Sequence, residues 1–156
     1  MVTLTIDGQL PNLNEYTRAC RANKYVGAKM KKEAEERICW YIKQQIPETH
    51  YDVIVCLNFR WYEPNKKRDL DNICFAKKFI LDALVSSGTI KADGWQGVAG
   101  FTDEFFIDKE NPRIEVDIDW PKYGGLNKKT VKSLYERFVN NGNTFLIEYE
   151  PFNKVL

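Results

Sequence analysis

Residues 51–62, Tyr-Asp-Val-Ile-Val-Cys-Leu-Asn-Phe-Arg-Trp-Tyr, are rich in β-branched and aromatic side chains with partial apolar–polar alternation, which is the signature of a sheet strand. A helical pattern lies on each side of it. Residues 28–46 carry Met30, Ala34, Ile38, Trp40, Tyr41 and Ile46 at helical spacing and stop at Pro47. Residues 72–87 repeat Ile73, Ala76, Ile80, Ala83 and Leu84 in the same way, with Phe75 and Phe79 widening the stripe and Gly88 ending it. A strong strand between two helices, in a chain of 156 residues, points to one α+β domain with helices packed on a sheet.

Further strands complete a mixed sheet of about four to five. Val2, Leu4 and Ile6 alternate in a short first strand closed by Asp7-Gly8 and Pro11, and a long polar, basic loop follows up to residue 27. Residues 98–107 and 113–118 read as two strands joined as a hairpin through 108–112. Trp120-Pro121 and Gly124-Gly125 mark a linker. A helix capped by Asn127, running through Val131, Leu134 and Phe138, and a strand at 144–149 would form an extension, 121–156, packed on the same domain. Lys128, Lys129, Lys132 and Arg137 give that helix a basic side.

Several function classes are excluded by what the chain lacks. Its four cysteines are widely spaced with no Cys-x-x-Cys pair, which removes zinc-finger and thioredoxin readings and suits reduced thiols. His50 is the only histidine, so a Ser-His-Asp triad or a His-rich metal site has no material, and His50 reads as an exposed loop residue. The first residues are too polar for a signal peptide and no apolar stretch could span a bilayer, so a soluble cytoplasmic protein is expected, without a membrane partner. Net charge is only +1, but basic residues are in excess in the first half and acidic ones in the second.

The chemistry gathers at residues 66–72, Lys-Lys-Arg-Asp-Leu-Asp-Asn, where a strand gives way to a helix. Asp69 and Asp71, with Asp93 downstream, offer hard oxygen ligands of the kind magnesium takes. A basic flank around an acidic centre suits a phosphodiester substrate. The plainer explanation is that Asp71 caps the following helix and Asp69 sits in a turn. In an unbroken helix, at about 100° per residue, the positions seven and eleven after Asp71 return to its face, and these are Lys78 and Asp82. Lys77 points elsewhere. Lys78 and Asp82 also make sense as an ordinary exposed pair four residues apart.

The order strand, Pro-x-x-Asn loop, helix, strand, basic run, Asp-x-Asp-Asn, helix with Asp-Ala-Leu, Gly, Asp and two strands resembles the RusA family of Holliday junction resolvases. The matching residues are Pro11, Asn14 and Tyr16, Lys66 to Asn72, Asp82-Ala83-Leu84, and Gly88 with Asp93 five later, covering roughly residues 1–119. The resemblance implies a RusA-like nuclease domain over 1–120. It also implies a homodimer and a magnesium-dependent endonuclease, usually encoded by phages or prophages, that resolves four-way DNA junctions by paired symmetric nicks. Asp69, Asp71 and Asp93 fall on the family's metal-binding aspartates. The family's lysine, one turn after the second aspartate, is Phe75 here. Counting back from Asp82-Ala83-Leu84 puts Lys78 at that position, and a different placement of the three extra residues gives Lys77. The acidic pair usual at the third site is also changed, since Ala92 precedes Asp93.

On this reading Asp69, Asp71, Asp93 and Lys78 are the catalytic set. Lys66, Lys67 and Arg68 contact the DNA backbone near the cut, and Asn14, Arg18, Arg21 and Lys24 track a junction arm. Solvated loop charge is the plain alternative for each basic residue. Trp61, Tyr62 and Trp95 are either core rings or stacking platforms for opened bases. Two other functions keep most of the same residues: a junction-binding protein without cleavage, and a magnesium-dependent phosphohydrolase of small nucleotides.

Overall fold

The computed structural model describes residues 1–52 and 54–119. The chain divides into two units, Met1–Pro121 and Lys122–Leu156, and every described residue falls in the first. The helix and strand expected within 121–156 lie outside the described residues.

The described part alternates strands and helices in the order β1 (Val2–Asp7), α1 (Leu13–Ala22), α2 (Lys24–Gln45), β2 (Val55–Glu63), α3 (Leu70–Cys74), α4 (Lys77–Ser86), β3 (Val98–Ile107) and β4 (Arg113–Asp119). The four strands make one mixed sheet in the order β1-β4-β2-β3. β4 runs antiparallel to both β1 and β2, and β2 runs parallel to β3. A parallel pair needs a crossover, and α3 and α4 supply it.

Strand β2 alternates buried and half-buried positions without a break, as its composition predicts. Val55, Leu57, Phe59 and Trp61 turn one way and join Leu4, Ile6, Ile114, Val116 and Ile118 in one core. Against them pack Ala34, Ile38 and Ile42 of α2 and Phe79, Ile80, Ala83 and Leu84 of α4. Full burial of each large side chain contributes roughly 1.5–3 kcal/mol, which makes this layer the scaffold for everything built at its edge. The opposite face of the sheet is polar: Arg60 bonds Glu115 and Asp117, and Thr3 also donates to Asp117.

Three expectations are corrected. Residues 13–22 form a helix, not a loop, opened by a capping box in which the Asn12 side chain takes the Glu15 amide and Glu15 takes the Asn12 amide. The segment 98–118 is not a hairpin, because β2 lies between β3 and β4; its connection spans that strand, with Asp108 N bonded to Glu63 O at one end and Gly8 N to Pro112 O at the other. The helix expected over 72–87 is two helices, separated by a tight turn at Phe75 and Ala76 with bonds from Ala76 N to Ile73 O and from Lys78 N to Phe75 O. Among the described residues, no helix is long and apolar enough to cross a membrane.

Candidate active site

β2 ends at Glu63, and the chain turns through Pro64 and Asn65, whose side chain accepts the Lys67 amide. Lys66 and Lys67 are exposed on this turn. Arg68, expected to face DNA, is turned inward instead. Its guanidinium donates to Glu63 Oε1 at 3.3 Å, to the Leu10 carbonyl at 2.7 Å and to Glu15 Oε2 at 3.3 Å. Glu63 is 6% exposed, so the arginine neutralises a carboxylate that the core has taken out of water.

Asp69 follows with extended backbone and occupies the cap position of α3, yet its side chain makes no capping bond. Its one side-chain partner is Asn72 Nδ2, at a long 3.5 Å. Asp71 lies in the first turn of α3, where the positive end of the helix dipole favours a carboxylate. Both side chains are exposed. Capping therefore does not account for this pair.

The turn at Phe75 and Ala76 then sends two adjacent lysines in different directions. Lys77 is half-buried: its ammonium lies 2.6 Å from Asp103 Oδ2, with the rings of Phe59 and Phe101 at 5.6 and 5.4 Å. Asp103 is held from its other oxygen by Trp61 Nε1 at 2.9 Å. Lys78 is half-exposed and reaches Asp82 Oδ1 at 2.5 Å and Asp93 Oδ2 at 3.5 Å. Of the two lysines, Lys78 is the one beside a predicted site aspartate. Hydrogen bonding to Asp82, with Asp93 adding to it, raises the Lys78 pKa above its ordinary value, so the ammonium is secure at neutral pH. Burial pushes the Asp82 carboxyl up, but the ammonium groups of Lys78 and Lys31 outweigh it and hold it below the usual carboxylate range. Phe75 stacks on Tyr16 at 5.3 Å and meets Phe79 edge-on.

Asp93 belongs to a compact turn before β3. The Gly94 carbonyl takes the amides of Gly97 and Val98, and the Gly97 carbonyl takes the Val55 amide. A Cβ at Gly97 would collide with the Ala92 backbone, so the turn is closed around a residue without one. Trp95, at its tip, is 77% exposed, whereas Trp61 is in the core.

The three aspartates do not meet. In sequence Asp69 and Asp71 follow β2 and Asp93 precedes β3, where it lies 3.5 Å from the Lys78 ammonium at the start of α4. Among the described residues, no three carboxylate, imidazole or thiol groups converge on one cation position. The donor chemistry of Asp69 and Asp71 still suits magnesium, which is commonly held by one or two carboxylates with water and phosphate oxygens completing its shell. Burial first, then Asp103, pushes the Cys74 thiol pKa up to about 11, so the neutral thiol is its form at neutral pH.

The basic residues of the first segment gain an order that a loop would not have. Asn14, Arg18 and Arg21 are spaced four and three apart on α1, share a helical face and are exposed. Lys24 opens α2, its ammonium over the Tyr25 ring at 5.2 Å. Arg68 joins the two regions through Glu15 of α1. Asp103 and Lys31 were not among the residues singled out from the sequence. A charged residue between Phe101 and Phe105 on the inward-facing side of a strand was the available signal for Asp103.

Two exposed carboxylates that follow a basic run in the chain suit the handling of a phosphodiester substrate. A family model described as Endodeoxyribonuclease RusA matches residues 9–119, from just before α1 to the last residue of β4, and the chain belongs to that family. No curated protein sequence matches the chain.

Proposed function

We propose that this protein is a magnesium-dependent endonuclease that resolves four-way DNA junctions by paired symmetric nicks, acting as a homodimer. The observation that carries the reading is the state of Asp69 and Asp71: two exposed carboxylates at the end of a basic run, neither used for capping nor neutralised by an ion pair among the described residues. Family membership supplies the reaction class. A two-fold symmetric junction cut on two strands requires two sites related by the same symmetry, which a homodimer provides.

In the proposed mechanism Asp69 and Asp71 are the residues that would hold the cation. Magnesium there supplies Lewis-acid polarisation of the phosphoryl oxygens and a more acidic water. Lys78 places a fixed positive charge where negative charge develops on the phosphate or the departing 3′-oxygen. Lys66 and Lys67 contact the backbone beside the cut, while Asn14, Arg18, Arg21 and Lys24 follow a junction arm. Asp93 would join the pair as the third carboxylate, from the same chain or from the second copy of a homodimer.

The test is incubation with labelled four-way junction, linear duplex and free nucleotides, with magnesium or with EDTA, beside Asp71→Asn. Cleavage confined to the junction, absent in EDTA and in the variant while junction binding persists, is the expected result. Binding without any cutting would replace the reading by a non-catalytic one, and nucleotide turnover would replace it by a phosphohydrolase.

A further inference from the structure

Five charges alternate in sign along a path from α2 to the turn before β3: Glu35, Lys31, Asp82, Lys78 and Asp93. Lys31 Nζ is 3.3 Å from Glu35 Oε1 and 2.9 Å from Asp82 Oδ2. Lys78 then takes Asp82 Oδ1 and extends to Asp93. Asp82 is the centre of the row, its side chain only 17% exposed and its helix neighbours Leu81, Ala83 and Leu84 buried in the core. It is therefore a fixed point, while the Lys78 side chain around it is half in solvent.

A helical side chain leans toward the N-terminus of its helix. Left to that tendency, Lys78 would lie over the Phe75 turn. The observed ammonium instead reaches one turn in the C-terminal direction, to Asp82, and that is where it meets Asp93. On an isolated helix a Lys followed by an acid four residues later is the weaker orientation of such pairs. Helix preference alone does not explain the contact. A carboxylate anchored by the core on one side and by Lys31 of α2 on the other does.

We propose that Asp82 is a positioning residue, which draws the Lys78 ammonium back along α4 and holds it between itself and Asp93, with Lys31 fixing the second carboxylate oxygen. The inference rests on Lys78 being the lysine that acts on the substrate. Asp82 touches neither DNA nor cation; it acts through Lys78. Without it the flexible lysine samples many rotamers or collapses onto Asp93 alone, and the charge is no longer delivered to one place.

Full-length Asp82→Asn, Asp82→Glu, Lys78→Met and the Asp82→Asn/Lys78→Met double variant test this. Three quantities are read: single-turnover cleavage of saturating four-way junction, junction affinity in EDTA, and the ¹⁵N-detected lysine ammonium signals of the free protein. Asp82→Asn is expected to slow cleavage about tenfold or more, in line with the cost of misplacing a reacting group, while affinity changes by less than about threefold for the loss of a group remote from DNA. Asp82→Glu should recover much of the rate. A hydrogen-bonded ammonium signal that disappears in Lys78→Met should also disappear in Asp82→Asn. In the double variant the second change should add nothing, since a residue acting only through Lys78 has no further effect once Lys78 is gone.

Additive losses in the double variant would make Asp82 merely structural and overturn the proposal. So would a Lys78 signal that survives Asp82→Asn, or an unchanged rate in Asp82→Asn where Lys78→Met abolishes cutting. Normal cleavage by Lys78→Met would remove the reading of Lys78 itself, and the proposal with it.

Discussion

Arg68 and His50 show how single side chains are defined by the acceptors around them. Arg68 serves three acceptors from different parts of the chain, and its loss would leave the buried Glu63 carboxylate, among the described residues, with Gln9 to bond it. Arg68→Ala is expected to cost about 2–3 kcal/mol in urea unfolding, the penalty for stranding a buried charged group. Arg68→Lys should recover only part, because one ammonium cannot reproduce a planar fork. His50 faces the Gly88 carbonyl through Nδ1 and Asp52 through Nε2 at 3.0 Å. Both partners only accept, so both ring nitrogens must carry hydrogen, which only the protonated ring does. Its pKa is accordingly raised, by the Gly88 carbonyl first and Asp52 next. A raised value means that the stabilising contact is fully present below the unfolded pKa of about 6.5 and is lost as pH rises through the folded one. With one histidine in the chain, an NMR titration gives a single imidazole curve; its midpoint should lie above 6.5 and fall in Asp52→Asn.

At the scale of elements, the turn before β3 is the one most sensitive to a small change. Gly97→Ala would drive a Cβ into the Ala92 backbone, so the turn that carries Asp93 must open. The expected result is a loss of about 1–3 kcal/mol, typical of overpacking, together with slower cleavage, measured by urea unfolding and by the junction assay on the same preparation. How well each element could be read from the residues follows its physics. β2 was legible because alternation and β-branched content report a strand buried on one face, and the structure repeats that alternation along its length. α1 was missed because its apolar positions are few, although the Asn12-x-x-Glu15 spacing of its capping box was there to be seen. The hairpin reading of β3 and β4 failed because strands close in sequence usually pair, and nothing local records that β2 takes the place between them. The acidic pair stands out by its spacing and basic flank, but that Asp69 makes no capping bond is visible only in the folded chain. The inward turn of Arg68 could not be found from spacing, since it depends on Leu10 and Glu15, which only the folded chain brings near.

For the whole molecule, Asp69 and Asp71 follow β2 and Asp93 precedes β3, and among the described residues the three do not converge on one cation position. A site shared across a homodimer makes a sharp expectation. Asp71→Asn and Asp93→Asn should each be inactive alone, but an equal mixture, allowed to exchange subunits, should regain cleavage. In the mixed dimer one site receives both altered residues and the other receives none. Nicking of one strand per junction, read on a denaturing gel, is the expected pattern; a mixture as inactive as its components would place all three aspartates of a site in one chain. Arg68 has a consequence at this scale too. One end of its side chain is fastened to α1, whose face carries Arg18 and Arg21, and its main chain runs directly into Asp69. On the proposed reading, a DNA arm pulling on α1 would therefore pull, through Arg68, on the chain that leads directly into Asp69.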